Sequence, residues 1–331
     1  MADLAQIEAI AAKTAVGITS MPPNRTRLID KITASEHSFT ADVDVPGEES
    51  YFFVLENSHT GEIIGTSGVA ASAGFHDRFY SYRNEIIVHE SQELKVSNRI
   101  HALHLCHDLT GYSLLTSFYI DPAYSHTALP DLLSRARLLF IAENPARFAD
   151  KLAAENPGLC DDSGRSPFWD AVGRRFFNMD YPQAEQLSGG RSKTFIAELM
   201  PQYPIYVPLL PPEAQLAIGQ LHPVAELPFS ILLEEGFEAD TYIDIFDGGP
   251  TVEARISTLR SIAGSRRMRV SRAPLPAERG QSCLIANTGT EEFRATIATL
   301  DLAGGDQLTL PPELADRLEV ASGDDVRVTP L

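Results

Sequence analysis

Cysteine is scarce in this sequence: Cys106, Cys160 and Cys283 lie far apart and show no paired spacing. Isolated thiols of this kind are typical of a reducing compartment and argue against a disulfide-stabilised secreted domain. Apolar runs of the roughly 18 residues that a membrane span requires are also missing. The first residues lack the basic and apolar regions of a signal peptide. We therefore expect a cytoplasmic protein that does not associate with membranes.

Basic residues are in short supply as well. The chain has 27 Lys and Arg against 45 Asp and Glu, which gives a net charge of -18. General binding of nucleic acids or of anionic membranes requires basic patches, so this balance argues against both. An acidic surface tolerates a cationic small substrate, whereas an anionic cofactor needs a local pocket lined by amides or basic side chains.

Common cofactor and metal motifs are absent too. The sequence contains no Walker P-loop, no Gly-x-Gly-x-x-Gly and no His-Glu-x-x-His. The densest group of metal-ligand residue types is His101, His104, Cys106, His107 and Asp108. On a helix, His101, His104 and Asp108 would share one face, which would permit a metal site, while Cys106 would point away from it. The alternative is a partly buried helix or strand with hydrogen-bonded histidines, and on that basis we predict no metal.

What the chain does contain is a junction of strand, loop and helix. Leu114–Ile120 is a short apolar run that predicts a strand, about eight residues of loop follow, and an amphipathic helix begins near Leu129. The amides of a helix N-terminus point at such a loop, so this junction is a common anion-binding site. The preceding sequence predicts two helices, Asp3–Ala12 and Arg25–His37, and then a hairpin with its turn at residues 57–60. This order of elements is typical of a GCN5-related acetyltransferase sheet.

Two later segments share one pattern of a helix, a glycine and a strand. Ser166–Tyr181 has its glycine at Gly173, and Phe229–Phe246 has its glycine at Gly236. Pro-Phe also lies at the start of both helices, as Pro167-Phe168 and as Pro228-Phe229. The pattern indicates a duplicated acyltransferase-like unit.

The length of 331 residues exceeds that of an ordinary single core and predicts more than one domain. From about Thr258 the sequence changes to short strands and turns, with one helix at Pro312–Leu318. We expect an α+β fold of duplicated GCN5-related N-acyltransferase-like halves, 1–145 and 146–257, with mixed, largely antiparallel sheets. A small β-rich C-terminal module, 258–331, completes the prediction.

One histidine and two aspartates are candidates for chemistry. His222 follows a short helix that Gly219 ends, and Pro223 restricts it to an extended backbone. An imidazole presented in this way can pass a proton to a leaving group near neutral pH, or it can be an ordinary loop histidine. Asp244 and Asp247 lie where a predicted strand meets a Gly-Gly-Pro turn. They can cap the turn or accept a guanidinium.

Five long segments resemble the bacterial arginine N-succinyltransferase family: Lys13–Asn24, Ser166–Tyr181, Lys193–Leu210, Gly219–Pro223 and Glu234–Thr251. The resemblance covers nearly the whole chain. Further segments are similar to the alpha-type subunits of arginine/ornithine succinyltransferases, which occur beside a beta-type subunit: Glu49–Glu56, Ala71–Phe75, His107–Gly111 and Leu114–Tyr119.

The resemblance implies an acyltransferase that moves succinate from succinyl-CoA to the α-amino group of L-arginine, with ornithine as a second candidate. It implies no permanently bound cofactor, because succinyl-CoA is a co-substrate. The family's proton donor falls at His222, and a family succinyl-CoA contact falls at Phe118. The expected assembly is a homo-oligomer or a hetero-oligomer with a beta-type subunit.

The predicted loop departs from the family at the residues that grip the cofactor pyrophosphate. Where the family usually carries Arg and two glycines, this chain has Ser125, Ala128 and Pro130. Pro130 has no N–H to donate, and Ala128 hinders close approach of the backbone. The loss of two charge-assisted bonds at roughly 1.5–3 kcal/mol each would weaken binding by about 10²–10⁴-fold. The alternatives are therefore a non-catalytic scaffold or regulatory subunit with a degenerate CoA loop, or an acyltransferase for a different amine.

Overall fold

The computed structural model describes residues 1–14, 21, 23–188, 198–274 and 280–331. Its α-helices are α1 (Leu4–Ala11), α2 (Arg25–Thr40), α3 (Leu129–Glu143), α4 (Pro167–Ala171), α5 (Arg174–Phe177), α6 (Tyr181–Ser188), α7 (Pro212–Ala217), α8 (Glu226–Glu235), α9 (Arg260–Ala263) and α10 (Pro312–Arg317). Its strands are β1 (Ser50–Asn57), β2 (Glu62–Ala70), β3 (Ser81–Ser91), β4 (Val96–Cys106), β5 (Ser113–Ile120), β6 (Lys151–Glu155), β7 (Ile205–Tyr206), β8 (Glu238–Ile243), β9 (Pro250–Arg255), β10 (Arg266–Arg272), β11 (Gln281–Asn287), β12 (Ala295–Leu300), β13 (Gln307–Leu310) and β14 (Asp325–Pro330).

Most of the strands form one large mixed sheet. Within the described residues its order is β1-β2-β5-β6-β9-β8-β3-β4-β7. Every neighbouring pair is antiparallel except β5 and β6, which run parallel. A second sheet, β12-β11-β14-β10-β13, lies in the C-terminal region, and its β10–β13 pair is parallel. The α+β class with mixed sheets is confirmed.

The predicted junction and hairpin are confirmed. Strand β5 and helix α3 have nearly the expected bounds, and β1 pairs antiparallel with β2 around a turn that Gly61 closes at φ 71°. Helix α2 begins where the Asn24 side chain accepts a hydrogen bond from the Arg27 amide. Asp3 precedes α1, but its side chain makes no capping hydrogen bond.

The strand predicted after Gly173 is wrong. Helix α4 begins at Ser166, whose side chain caps the Trp169 amide, but the chain then continues into α5 and α6. The Trp169 indole donates to the Met179 carbonyl oxygen at 2.9 Å and holds this segment against the helix. The later segment does follow the prediction, because Gly236 ends α8 at φ 101° and β8 follows. The helix–glycine–strand pattern is therefore not repeated, and the duplication remains a prediction.

Strands from both sides of position 145 belong to the same large sheet. Strands β6, β9 and β8 lie between β5 and the β3–β4 hairpin. A backbone ladder therefore joins residues 81–106 to residues 238–243, through Tyr82 opposite Ile243 and Arg83 opposite Tyr242. The division into 1–145 and 146–257 remains a prediction.

Helix α3 packs between the two sheets. Phe140 lies with its ring centroid 5.0–6.0 Å from those of Tyr51, Phe148 and Phe293. Leu132 and Leu139 pack against Leu284 and Ala286 of β11. Full burial of each large apolar side chain contributes roughly 1.5–3 kcal/mol, so this helix is fixed on both sides.

No helix of the described residues is both long enough and apolar enough to cross a membrane.

Candidate acyl-donor and amine site

Strands β5 and β6 separate after a short parallel contact. They pair only from Ser113 opposite Leu152 to Leu115 opposite Ala154. On its other edge β5 stays paired with β2 as far as Ile120. The β6-facing edge of β5 therefore has no strand partner from Thr116 onward among the described residues. Backbone amides on a strand edge that the neighbouring strand does not cover can donate hydrogen bonds to a ligand.

A β-bulge lies at the point where the strands separate. The register of β5 against β2 shifts between Thr66 and Gly68, and Ser117 has φ 57°. The Thr66 hydroxyl donates to the Ser117 carbonyl oxygen at 2.9 Å and fixes the bulge. Bulges reorient side chains and are common beside active sites. Here Phe118 lines the cleft that the separated strands open.

The cleft holds about 1110 Å³ of space, including its open mouth. Its lining comes from β5, from α3, from the segment after β6, from α6, from α8 and the residues that lead into it, and from the turn after β8. The residues that carry polar or aromatic chemistry in this lining are Ser117, Phe118, Arg137, Glu155, Asn156, Tyr181, Glu185, Asp244, Phe246 and Asp247. Its lining combines apolar side chains with a few polar groups, as small-molecule sites do.

Arg137 is the buried cation of this lining, with 3% of its surface exposed. Its Nε donates to the Ser134 carbonyl oxygen at 3.0 Å, its Nη2 to the Ser134 hydroxyl at 2.9 Å and its Nη1 to the Gly68 carbonyl oxygen at 3.4 Å. Its guanidinium carbon is 5.7 Å from the Phe118 ring centroid. Burial lowers the pKa of Arg137 to about 9. No sequence motif points to Arg137, although a charged residue within the apolar run of α3 is a usable signal.

Acidic side chains also line the cleft. Asp247 is buried and accepts hydrogen bonds from the Gly158 amide at 2.7 Å, the Gly249 amide at 2.8 Å and the Tyr181 hydroxyl at 3.1 Å. Its burial, together with the nearby Asp244 carboxylate, raises its pKa to about 7, although the two amides and the tyrosine oppose that shift.

Two glycines make the turn around Asp247 possible. A Cβ on Gly158 would lie 2.6 Å from the Gly249 nitrogen, and a Cβ on Gly249 would lie 2.3 Å from the Asn156 carbonyl oxygen. The Asp244 side chain caps the same turn, because it accepts from the Phe246 amide at 2.6 Å. The turn-capping role predicted for Asp247 is therefore observed, whereas Asp244, expected on a strand face, follows the end of β8 and caps the same turn; both also line the cleft.

His222 lies beside this cleft. Its backbone is extended, with φ -64° and ψ 141°, as Pro223 predicts. Its amide donates to the Pro157 carbonyl oxygen at 2.9 Å, and Val224 and Ala225 immediately after it line the cleft. Its Nδ1 accepts from the Val224 amide at 3.3 Å. Because Nδ1 accepts, the neutral imidazole carries its proton on Nε2. Phe118 lines the cleft and His222 adjoins its lining through Pro157 and Val224, and the chemical roles of both residues remain predictions.

The histidine-rich segment lies on strand β4, not on a helix. Alternation along a strand turns His101 and His104 to opposite faces, so the prediction that they share one face of a helix is wrong. His101 Nδ1 lies 3.0 Å from the Asn84 side-chain oxygen, and His104 Nε2 lies 3.3 Å from a Glu85 oxygen. No group of three metal-ligand residue types converges within the described residues.

The loop before α3 offers few donors to a phosphate. The Thr127 hydroxyl already accepts from the Leu129 amide at 3.2 Å, and Pro130 has no N–H. Ser125 uses its hydroxyl on the Pro122 carbonyl oxygen at 2.8 Å. Asp131 adds a carboxylate to the first turn of the helix. Each of these features weakens the anion-binding character of a helix N-terminus.

Known proteins match this chain over nearly its whole length. The family model "Arginine N-succinyltransferase beta subunit" matches residues 1–261, and the model of that subunit's C-terminal domain matches residues 266–330. The "Arginine N-succinyltransferase subunit alpha" of Pseudomonas aeruginosa is 54% identical and aligns over 99% of this chain and 96% of that protein. The subunit beta of the same organism is 40% identical over 100% of this chain and 96% of its own length.

A solved structure gives the same result at the level of the fold. The arginine/ornithine succinyltransferase subunit AI from Pseudomonas aeruginosa superposes with a TM-score of 0.90 at 50% identity. The superposition covers 99% of this chain and 96% of the other. The chain therefore belongs to the arginine N-succinyltransferase family.

Proposed function

We propose that this chain is the alpha-type subunit of an arginine N-succinyltransferase and transfers the succinyl group of succinyl-CoA to the α-amino group of L-arginine. The observation that carries the proposal is the cleft between β5 and β6, whose lining combines the edge of β5 that β6 does not cover, the buried Arg137 and several carboxylates. The uncovered edge suits a thioester, and the carboxylates suit a cationic amino acid. Ornithine is a second candidate acceptor because it has the same α-amino group and a cationic side chain.

The donor would lie along the uncovered edge of β5, with Phe118 against it. Amides of this edge would donate to the thioester carbonyl oxygen as it gains negative charge. The guanidinium of arginine would pair with carboxylates of the cleft lining, in the bidentate geometry that guanidinium and carboxylate groups favour. This arrangement holds the two substrates in one cleft and brings the α-amino group to the thioester.

Transfer then follows from the chemistry of an amine and a thioester. The neutral α-amino nitrogen attacks the thioester carbon, the C–N bond forms and the nitrogen loses a proton to solvent, which balances the proton that His222 regains after each turnover. The tetrahedral intermediate collapses, the C–S bond breaks and coenzyme A leaves as a thiolate. His222 near the cleft would supply the proton that this thiolate takes up from Nε2 of its protonated ring, since Nδ1 faces the Val224 amide.

The proposal also covers the assembly of the chain, its location in the cell and the duplication of its fold. Because relatives named subunit alpha and subunit beta both match the full chain, we infer that this chain works in a homo-oligomer or together with a beta-type subunit in the cytoplasm. Succinyl-CoA serves as a co-substrate, with no permanently bound cofactor. The bulged strand and the splayed pair support an acyltransferase-like half around β5, and we propose a second such half in residues 146–257.

The donor-poor loop before α3 favours one alternative, a scaffold or regulatory subunit that does not grip succinyl-CoA by itself. A thiol-release assay on the purified chain, with succinyl-CoA and L-arginine, separates the two functions. We expect arginine-dependent thiol release from the chain alone or after addition of a beta-type subunit. Activity of the mixture that survives replacement of this chain by its His222→Ala variant would assign catalysis to the partner.

A further inference from the structure

Helix α3 carries two buried arginines, and their surroundings differ. Arg135 is 3% exposed and lies 2.9 Å from an Asp131 oxygen, 2.6 Å from a Glu234 oxygen and 2.8 Å from a Glu235 oxygen. Three carboxylates therefore compensate its charge. Arg137, two residues further along, is equally buried. Only the charge partners of the two side chains differ.

Arg137 has no carboxylate partner among the described residues. Its hydrogen bonds go to two carbonyl oxygens and one hydroxyl, all of them uncharged. These bonds use three of the five N–H groups of a guanidinium. A buried cation without an anion is costly, and the cost falls only when an anion enters. The position of Arg137 in the cleft lining gives such an anion access.

The place of Arg137 relative to β5 defines which anion fits. Its Nη1 reaches the Gly68 carbonyl oxygen of β2, and its guanidinium lies against the Phe118 ring beside the β5 bulge. The uncovered edge of β5, where a thioester carbonyl can be held, begins at the neighbouring Thr116. An acyl chain held there points its far end at the α3 side of the cleft. In a succinyl thioester, two methylene groups separate that carbonyl from a carboxylate.

We propose that Arg137 binds the terminal carboxylate of the succinyl group and so selects a dicarboxylic acyl-CoA over an uncharged one. This inference rests on the proposed function. The carboxylate compensates the buried guanidinium in a charge-assisted, potentially bidentate pair. An uncharged acyl group of the same length leaves the cation uncompensated, and a buried group left unpaired is the strongest source of substrate discrimination.

The test compares Arg137→Gln with the natural chain, using succinyl-CoA and butyryl-CoA as donors. Butyryl-CoA has the same number of acyl carbons and a methyl group in place of the carboxylate. The assay contains the beta-type subunit if the natural chain needs it. We expect kcat/KM for succinyl-CoA to fall about 10²-fold or more, and kcat/KM for butyryl-CoA to change only a few-fold, so the donor preference collapses. Equal losses with both donors would overturn the proposal, because a structural role would act on both.

A second pair of substrates tests the other source of a carboxylate, the α-carboxylate of the acceptor. Agmatine is arginine without that group. We expect Arg137→Gln to leave the arginine-to-agmatine preference unchanged. If the substitution removes that preference and spares the donor preference, Arg137 binds the amino acid and the proposal is wrong.

Two further measurements keep the test independent of folding and of the proposed function. Arg137→Lys keeps the charge but not the planar fork, so we expect an intermediate donor preference and a native-like melting temperature. If the natural chain transfers no succinyl group under any condition, the proposed function fails separately. In that case calorimetric binding of succinyl-CoA and butyryl-CoA still decides the inference, since Arg137→Gln must weaken the former selectively or the assignment is overturned.

Discussion

The imidazole of His222 combines a fixed backbone with a ring nitrogen that faces outward from its own turn. Pro223 holds the backbone extended, and the Val224 amide occupies Nδ1. Nε2 is left to carry and deliver a proton. Removal of the ring by His222→Ala should therefore lower turnover by about 10²-fold or more with little change in fold, because a positioned general acid contributes on that scale. Steady-state thiol release and circular dichroism measure the two quantities.

His222→Asn is the matched control for this prediction. An asparagine can still accept a hydrogen bond from the Val224 amide and cap the turn, but it cannot deliver a proton near neutral pH. We expect it to be as inactive as His222→Ala. Recovery of activity by asparagine would show that the histidine acts only as a cap.

Asp247 should make the stability of the chain depend on pH. Its pKa in the folded chain is raised to about 7 by burial and by Asp244, against an unfolded value near 4. The folded chain therefore binds more protons than the unfolded chain between these values, so the free energy of unfolding falls as pH rises. This contribution is fully present below about pH 4 and is lost as the pH passes about 7. Its size is of the order of a few kcal/mol.

Denaturant unfolding at pH 5 and pH 8 measures this effect against an Asp247→Asn variant. Asparagine cannot ionise, so the variant should lose less stability than the natural chain between the two pH values. Its absolute stability should be lower at pH 5, because an amide nitrogen replaces one acceptor oxygen near the Gly158 or Gly249 amide. Identical losses in the two proteins would show that Asp247 does not titrate in this window.

At the scale of elements, the loop before α3 determines how firmly a pyrophosphate can be held. Thr127 occupies the Leu129 amide, Pro130 lacks one and Asp131 repels an anion. The combined change Ser125→Arg, Ala128→Gly and Pro130→Gly adds a cation, an amide and room for close approach. We expect succinyl-CoA affinity to rise by about 10²-fold, the lower end of what two charge-assisted bonds supply. Calorimetric titration measures the dissociation constant.

Ser125→Gln with the other two residues unchanged serves as the control for this loop. It lengthens the side chain without adding charge or amides, so affinity should change little. If the triple variant binds no better than this control, the pyrophosphate does not contact the loop, and the donor enters by another route.

Elements with a strong periodic pattern were predictable from the sequence, and those decided by tertiary contacts were not. Strand β5 and helix α3 follow from an apolar run and a 3.6-residue period. The helix after Gly173 does not follow from a local pattern, because the hydrogen bond from the Trp169 indole to the Met179 carbonyl oxygen fixes this segment through tertiary packing. The same limit applies to the site. Pro223 predicted the backbone of His222, whereas the role proposed for Arg137 depends on the absence of a carboxylate partner among the described residues, which only three-dimensional packing reveals.

At the scale of the whole molecule, the C-terminal sheet acts as a support for α3. Glu143 at the end of that helix has 3% of its side chain exposed, and it accepts from Arg327 Nε at 2.8 Å and from Arg267. Thr290 adds a bond to Asn144 at 2.9 Å. The opposite face of α3 carries Arg137 into the cleft. The two sheets thus hold one helix, and the C-terminal module can affect the donor site without touching a ligand.

Glu143→Gln tests this mechanical link, because it leaves two arginines beside a neutral side chain. Loss of one partner from a buried ion pair costs about 3–5 kcal/mol, so denaturant unfolding should show a destabilisation toward the lower end of that range, given that Arg267 is half exposed. We also expect a higher dissociation constant for succinyl-CoA, since α3 loses part of its support.

Arg269→Gln is the matched control: its pair with Asp325 is exposed on both sides at 3.8 Å, so stability should change by less than about 0.5 kcal/mol. Equal effects of the two substitutions on stability, or unchanged donor affinity in a clearly destabilised Glu143→Gln, would mean that the module stabilises the fold without positioning the helix at the cleft.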